Sequence, residues 1–142
     1  MKRPSIRHRQ LALDLASAWR RLERSLDASL SAVRGVSFAE YRILETLLRA
    51  PGGRCSRVDL ARSLGLTASG VTRALRPLEK IGVVDTSRSE RDARLALASL
   101  TDAGRELVAD ASGVVDDVVN ATLKHATKRP ATLDDLLYEL LP

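Results

Sequence analysis

Residues 56–84 read SRVDLARSLGLTASGVTRALRPLEKIGVV, and the order of caps, apolar positions and glycines in this stretch decides the fold. Ser56-Arg57-Val58-Asp59 is a helix N-terminal signature, because a Ser hydroxyl can accept a hydrogen bond from amides that the first turn leaves unpaired. Leu60, Ala61 and Leu64 follow as the inward set, and Gly65 supplies the stop. Thr67 caps the next helix, which turns Val71, Leu75 and Leu78 inward and closes at Gly82. Only Gly65 and Leu66 lie between Leu64 and Thr67. Two short helices joined so tightly, with Gly in the turn, form a helix-turn-helix. Pro77 removes one amide and disfavours the helical conformation of Arg76, so a kink or early tightening is expected near Arg73–Arg76.

Downstream of Gly82 the pattern changes. Val83-Val84 reads as a short strand, Asp85 to Arg94 as a polar, charged tip, and Leu95 to Leu100 as a half-buried strand of alternating large and small side chains. A hairpin directly after a helix-turn-helix is the layout of a winged helix. Upstream, Ser37-Phe38-Ala39-Glu40 reads as a capping box. It opens a helix with Tyr41, Ile43, Leu44, Leu47 and Leu48 as its apolar set, stopped by Pro51-Gly52-Gly53.

Long helices flank this centre. Leu11, Leu15, Trp19, Leu22, Leu26, Leu30 and Val33 recur at steps of three and four from about His8 to Val33, and Gly35 ends the run. Thr101-Asp102-Ala103-Gly104 opens a second long helix with Val108, Ala111, Val115, Val118 and Thr122 in one stripe, widened by Leu107, Val114 and Leu123. After Pro130, Thr132 caps a last short helix bearing Leu136, Leu137, Leu140 and Leu141. These helices carry more apolar surface than the centre can cover, which predicts a homodimer. The expected fold is therefore mainly α with a small β-wing: a winged helix-turn-helix domain flanked by N- and C-terminal dimerisation helices. Residues 1–36, 37–100 and 101–142 supply the three parts of one intertwined domain.

Composition narrows the function. With 142 residues, 44% hydrophobic and 29% charged, the chain is globular and long enough for one core. The net charge is +5, and the basic residues are concentrated toward the front. Residues 1–36 hold eight Lys/Arg against three acids, residues 37–100 eleven against seven, and residues 101–142 four against eight. That asymmetry suits one face meeting a polyanion, most commonly nucleic acid, and the isoelectric point near 10.0 agrees. Aromatics are 3%, fewer than a catalytic or cofactor pocket usually draws on. His8 and His125 stand near opposite ends, and the pairs Asp116-Asp117 and Asp134-Asp135 point about 100° apart on a helix. No enzyme, metal or cofactor is expected. Cys55 alone excludes an intramolecular disulfide and reads as a buried small apolar residue. With no apolar run near the roughly 20 residues of a membrane span, and none behind Met1-Lys2-Arg3-Pro4-Ser5, a cytoplasmic protein is expected.

The helix capped by Thr67 divides as a recognition helix must. Ser69, Thr72, Arg73 and Arg76 lie away from its apolar side, and Ala68, Ser69 and Gly70 are small enough for close approach to a duplex. Arg can bond guanine bidentately, while Ser and Thr can bond bases or phosphates. Thr67, Ser69, Gly70, Thr72, Arg73 and Arg76 are thus the candidate DNA contacts of this helix. Arg88, Arg91 and Arg94 are those of the hairpin tip, since Arg at a narrow protrusion can enter a minor groove. The Asp92–Arg94 spacing permits a salt bridge that stiffens the tip.

Taken in order, these segments resemble the MarR family of bacterial transcription regulators. The resemblance is carried by Leu64-Gly65-Leu66-Thr67 through Val71-Thr72-Arg73, Leu78-Glu79-Lys80-Ile81-Gly82-Val83-Val84, Asp92 and Arg94, and Leu100-Thr101-Asp102-Ala103-Gly104. It implies a homodimer that binds a palindromic operator in double-stranded DNA, the Thr67 helix in the major groove and the Arg94 wing in the minor groove. Family members are often repressors whose affinity drops when a small, frequently aromatic or phenolic, effector binds between the dimer helices and the winged helix. Trp19, Phe38 and Tyr41 are then candidate wall residues. Three features depart from the family pattern: Ala93 where a basic residue often stands, Asp85 soon after the first strand, and no cysteine in the first helix. The alternative reading is a winged-helix dimer that serves protein interaction or binds DNA without reading its sequence.

Overall fold

The structure, a computed structural model, describes residues 8–92 and 95–124. In chain order these form α1 (His8–Arg34), α2 (Phe38–Arg49), a 3-10 turn (Pro51–Gly53), β1 (Arg54–Ser56), α3 (Arg57–Leu64), α4 (Ala68–Lys80), β2 (Val84–Arg88), β3 (Ala96–Leu100) and α5 (Asp102–Leu123). The expected last helix, with Thr132 and Leu136 to Leu141, lies outside the described residues, as does His125.

Four helices start where a hydroxyl caps them. Ser37 Oγ accepts from the Glu40 amide at 3.1 Å while the Glu40 carboxylate accepts from the Ser37 amide at 2.8 Å, completing the capping box. Ser56, Thr67 and Thr101 each accept from the amide three residues on, at 3.1, 3.0 and 3.0 Å. Such a cap contributes about 1 kcal/mol. At the far end of α3, Gly65 takes φ +65°, and the Leu66 amide donates to the Ala61 carbonyl at 2.9 Å. This closure turns the chain sharply from α3 into α4.

The core gathers where these elements meet. Leu44 and Leu47 of α2, Leu60 of α3, Val71, Leu75 and Leu78 of α4, Val84 and Ala98 of the strands, and Val108 and Ala111 of α5 are all buried. Gly104 seats α5 against the sheet: a Cβ there would collide with the Val83 carbonyl oxygen and the Leu100 side chain. Thr101 links the same corner, donating to the Gly82 carbonyl at 2.8 Å. Of the α1 stripe only Leu26 and Leu30 are buried, packed toward α2 and α5. Leu11, Leu15 and Trp19 remain 41–42% exposed.

Several expectations need correction. Leu48 and Thr122 are exposed, not inward. The sheet has three strands in the order β1-β3-β2, both pairings antiparallel. Residues 54–56 are too few to show an alternation, and they become a strand only by pairing with β3. β2 runs to Arg88, so the first four residues of the expected tip are paired strand. α4 runs unbroken through Pro77 to Lys80. Pro77 and Arg73 share one exposed face, so the Arg73 carbonyl that loses its intrahelical partner is left toward water at little cost.

Candidate nucleic-acid interface

α4 presents two unlike faces. Val71, Leu75 and Leu78 are wholly buried, whereas Ser69, Arg73 and Arg76 are exposed. Their side chains make no ion pair among the described residues, in contrast to Arg62 on α3, which holds Asp59 at 2.9 Å. Three other residues expected here behave differently. Thr67 uses its hydroxyl as the cap of α4. Thr72 is half-buried and turns its hydroxyl back to the Ala68 carbonyl at 3.1 Å. At Gly70 a Cβ would lie 3.1 Å from Thr67 Oγ1, so the missing side chain makes room for the cap as well as for a ligand.

The wing stands beside this helix and is tied to it. Glu79 of α4 accepts a hydrogen bond from the Thr86 hydroxyl on β2 and lies 3.8 Å from the Arg57 guanidinium at the start of α3. Arg57 Nε is buried without a hydrogen-bond partner among the described residues. At the tip, the Ser89 amide donates to the Leu95 carbonyl at 2.9 Å, and Ser89 Oγ accepts from the Arg91 and Asp92 amides at 3.3 and 3.4 Å. Arg88 is exposed at the end of β2, opposite Ala96, and Arg91 is exposed in the turn. Arg94 and Ala93 lie outside the described residues, and with them the geometry of the expected Asp92–Arg94 bridge.

A family model described as MarR family matches residues 34–95. Over 87 residues the chain is 31% identical to the uncharacterized HTH-type transcriptional regulator YdgJ of Bacillus subtilis (strain 168), covering 61% of this chain and 52% of that protein. The chain thus spans about half the length of that curated relative. The crystal structure of the transcriptional regulator BldR from Sulfolobus solfataricus is similar at a TM-score of 0.85 and 25% identity, over 97% of this chain and 98% of that one.

Residues 34–95 are similar to the MarR family.

A MarR family transcriptional regulator from Streptomyces coelicolor, solved in complex with DNA, shares the fold at a TM-score of 0.84 and 24% identity, over 99% of this chain and 87% of that one. The MarR family match takes in α2, α3, α4 and β2, where the caps and the exposed arginines sit. α1 and α5 are shared with these structures at the level of fold.

The three aromatic residues considered for an effector wall come together at the junction of α1 and α2. Trp19 and Phe38 have ring centroids 5.6 Å apart, and Phe38 and Tyr41 5.9 Å. Tyr41 is buried and its hydroxyl is 3.0 Å from Ser112 Oγ on α5. The Phe38 amide donates to Asp27 of α1 at 2.8 Å, which fixes the α1–α2 corner. Cys55 is half-buried against the core beside Ala98. Burial, then the Asp59 charge, push its thiol above the ordinary value, so it stays protonated and a poor nucleophile. Among the described residues no group of three or more His, Cys, Asp or Glu is placed to hold a metal ion, and no helix is long and apolar enough to cross a membrane.

Sequence reasoning missed the roles of Ser89, Glu79, Thr86 and Arg57. Only the Ser89 contacts were local enough to be read, as a hydroxyl two and three residues ahead of amides in a turn.

Proposed function

We propose that the chain is a cytoplasmic, sequence-specific regulator of transcription that binds double-stranded DNA and catalyses no reaction. The observation that carries this is the division of α4: exposed Ser69, Arg73 and Arg76 opposite buried Val71, Leu75 and Leu78, beside a wing bearing Arg88 and Arg91. Arg73 and Arg76 read base edges in the major groove, and the wing arginines, Arg94 included, approach the minor groove. The DNA complex of the Streptomyces coelicolor relative supports this reading.

The active form is a homodimer on a palindromic operator, acting as a repressor. The exposed Leu11, Leu15 and Trp19 of α1 support the dimer, since a second chain would remove that surface from water. A small aromatic or phenolic effector, bound near Trp19, Phe38 and Tyr41, lowers DNA affinity.

Titration against the duplex upstream of its own gene, with excess unrelated DNA, tests the proposal. Tight binding that resists competitor is expected, with a dimeric mass by light scattering. Binding that competitor abolishes, on this duplex and on duplexes selected from a random pool, would leave only a non-specific basic surface.

A further inference from the structure

The outer face of the wing sheet carries a basic basin of about 560 Å³ that belongs neither to α4 nor to the hairpin tip alone. Strand register explains it. Leu97 of β3 lies between Ser56 of β1 and Ser87 of β2, and two residues along β3 Ser99 lies between Arg54 and Asp85. Ala98 and Leu100 point the other way, into the core. Arg54 comes from the strand farthest from the hairpin, yet it lines the same basin as Arg88 and Arg91, with Ser87, Ser89 and Glu90 between them.

Arg54, Arg88 and Arg91 are exposed and make no ion pair among the described residues, while Arg34, Arg49, Arg57 and Arg62 all do. Two acids face this side of the sheet, Glu90 in the basin and Asp85 across Ser99 from Arg54. Asp85 is two strand spacings from Arg54, roughly 10 Å between backbones, and the two make no ion pair among the described residues. By register Arg88, opposite Ala96, starts from the other face of β2. The guanidinium groups of Arg54 and Arg91, without an ion pair among the described residues, are thus the two this polar hollow can offer to phosphate oxygens, which guanidinium binds bidentately.

We infer that this basin is a second phosphate-contact surface, through which Arg54 grips the backbone of the duplex flanking the operator, outward from the wing. This rests on the DNA-binding reading above. Arg54 stands three residues along the ladder and two strands across from Arg88. That is roughly 14 Å between backbones, or about four nucleotides of axial rise at 3.4 Å each. Laid along the duplex axis, that span is about four base pairs beyond the phosphate level of Arg88, and their sequence does not matter.

The test uses the full chain and duplexes recovered from a random-sequence pool, each trimmed to the protected operator or extended by about four and about eight base pairs of arbitrary sequence, in line with that rise. Arg54→Gln is expected to weaken binding to the extended duplexes roughly tenfold at low salt and to reduce the salt slope by about 0.9 per chain. Binding to the trimmed duplex is expected to be unchanged, and Arg54→Lys to restore most of the loss. Equal weakening on trimmed and extended duplexes, or none on either, overturns the inference while leaving the DNA-binding reading intact. Failure of the unsubstituted protein to retain any duplex from the pool overturns both.

Discussion

The Glu79 carboxylate, in the last turn of α4, accepts a hydrogen bond from the Thr86 hydroxyl in the middle of β2. The same carboxylate is 3.8 Å from Arg57 at the head of α3. One side chain thus fixes the wing relative to both helices of the helix-turn-helix. Thr86→Val keeps the shape of the side chain and its strand preference but deletes the bond. It is expected to cost about 1 kcal/mol of stability. It is also expected to weaken DNA binding and to shrink the effect of Arg91→Ala measured in the same background. If the two substitutions contribute independently to affinity, the wing is not held through this bond.

Arg73 makes no ion pair among the described residues and is exposed on the side of α4 away from buried Val71, Leu75 and Leu78. Arg73→Ala is expected to reduce discrimination between operator and altered duplexes by about 1–3 kcal/mol, as for one lost bidentate base contact. Binding measured on a panel of single-base variants checks this. A uniform loss across the panel would make Arg73 a phosphate contact.

Gly104 has no room for a side chain, because Val83 and Leu100 fill the place of its Cβ. Gly104→Ala is expected to destabilise the fold by about 1–3 kcal/mol through overpacking. Gly113 on the same helix has open space at its Cβ, and Gly113→Ala is expected to be neutral or stabilising. Denaturant midpoints of the two variants should move in different directions or by clearly different amounts.

Cys55 has its thiol pushed above the ordinary value of 9.0, first by burial and then by Asp59. Since the folded value is raised, its contribution to stability is full below the unfolded value and is lost as pH rises through the folded one. Alkylation by iodoacetamide is expected to be slow near neutral pH and to accelerate only at alkaline pH, later than in the urea-unfolded chain. Asp59→Asn should move that acceleration to lower pH.

The boundaries legible in the sequence are those set by contacts within one turn. Ser37, Ser56, Thr67 and Thr101 each cap an amide three residues on, and Gly65 and Gly82 adopt positive φ at the helix ends. The faces of α4 were equally legible, because helical spacing alone sorts Val71, Leu75 and Leu78 from Arg73 and Arg76. What could not be read depends on partners distant in the chain. β1 exists through Ser56 meeting Leu97, and Arg54 reaches the wing only by that pairing. Asp27 finds the Phe38 amide eleven residues on, and Arg34 holds Asp110 at 3.0 Å across α1 and α5. No spacing rule links such residues. Thr72 is an intermediate case: it is half-buried between the two faces of α4, and its hydroxyl donates to the nearby Ala68 carbonyl.

At the corner where α5 begins, Thr101 grips the Gly82 carbonyl and the Gly104 amide together, and its own amide donates to Val83 at 3.1 Å. With no Cβ at Gly104, the foot of α5 rests directly on the backbone that joins α4 to β2. The 22-residue α5 is therefore a lever arm with no slack at its fulcrum. At this corner the helix and the backbone that joins α4 to the wing are in direct contact, with no intervening loop to separate them.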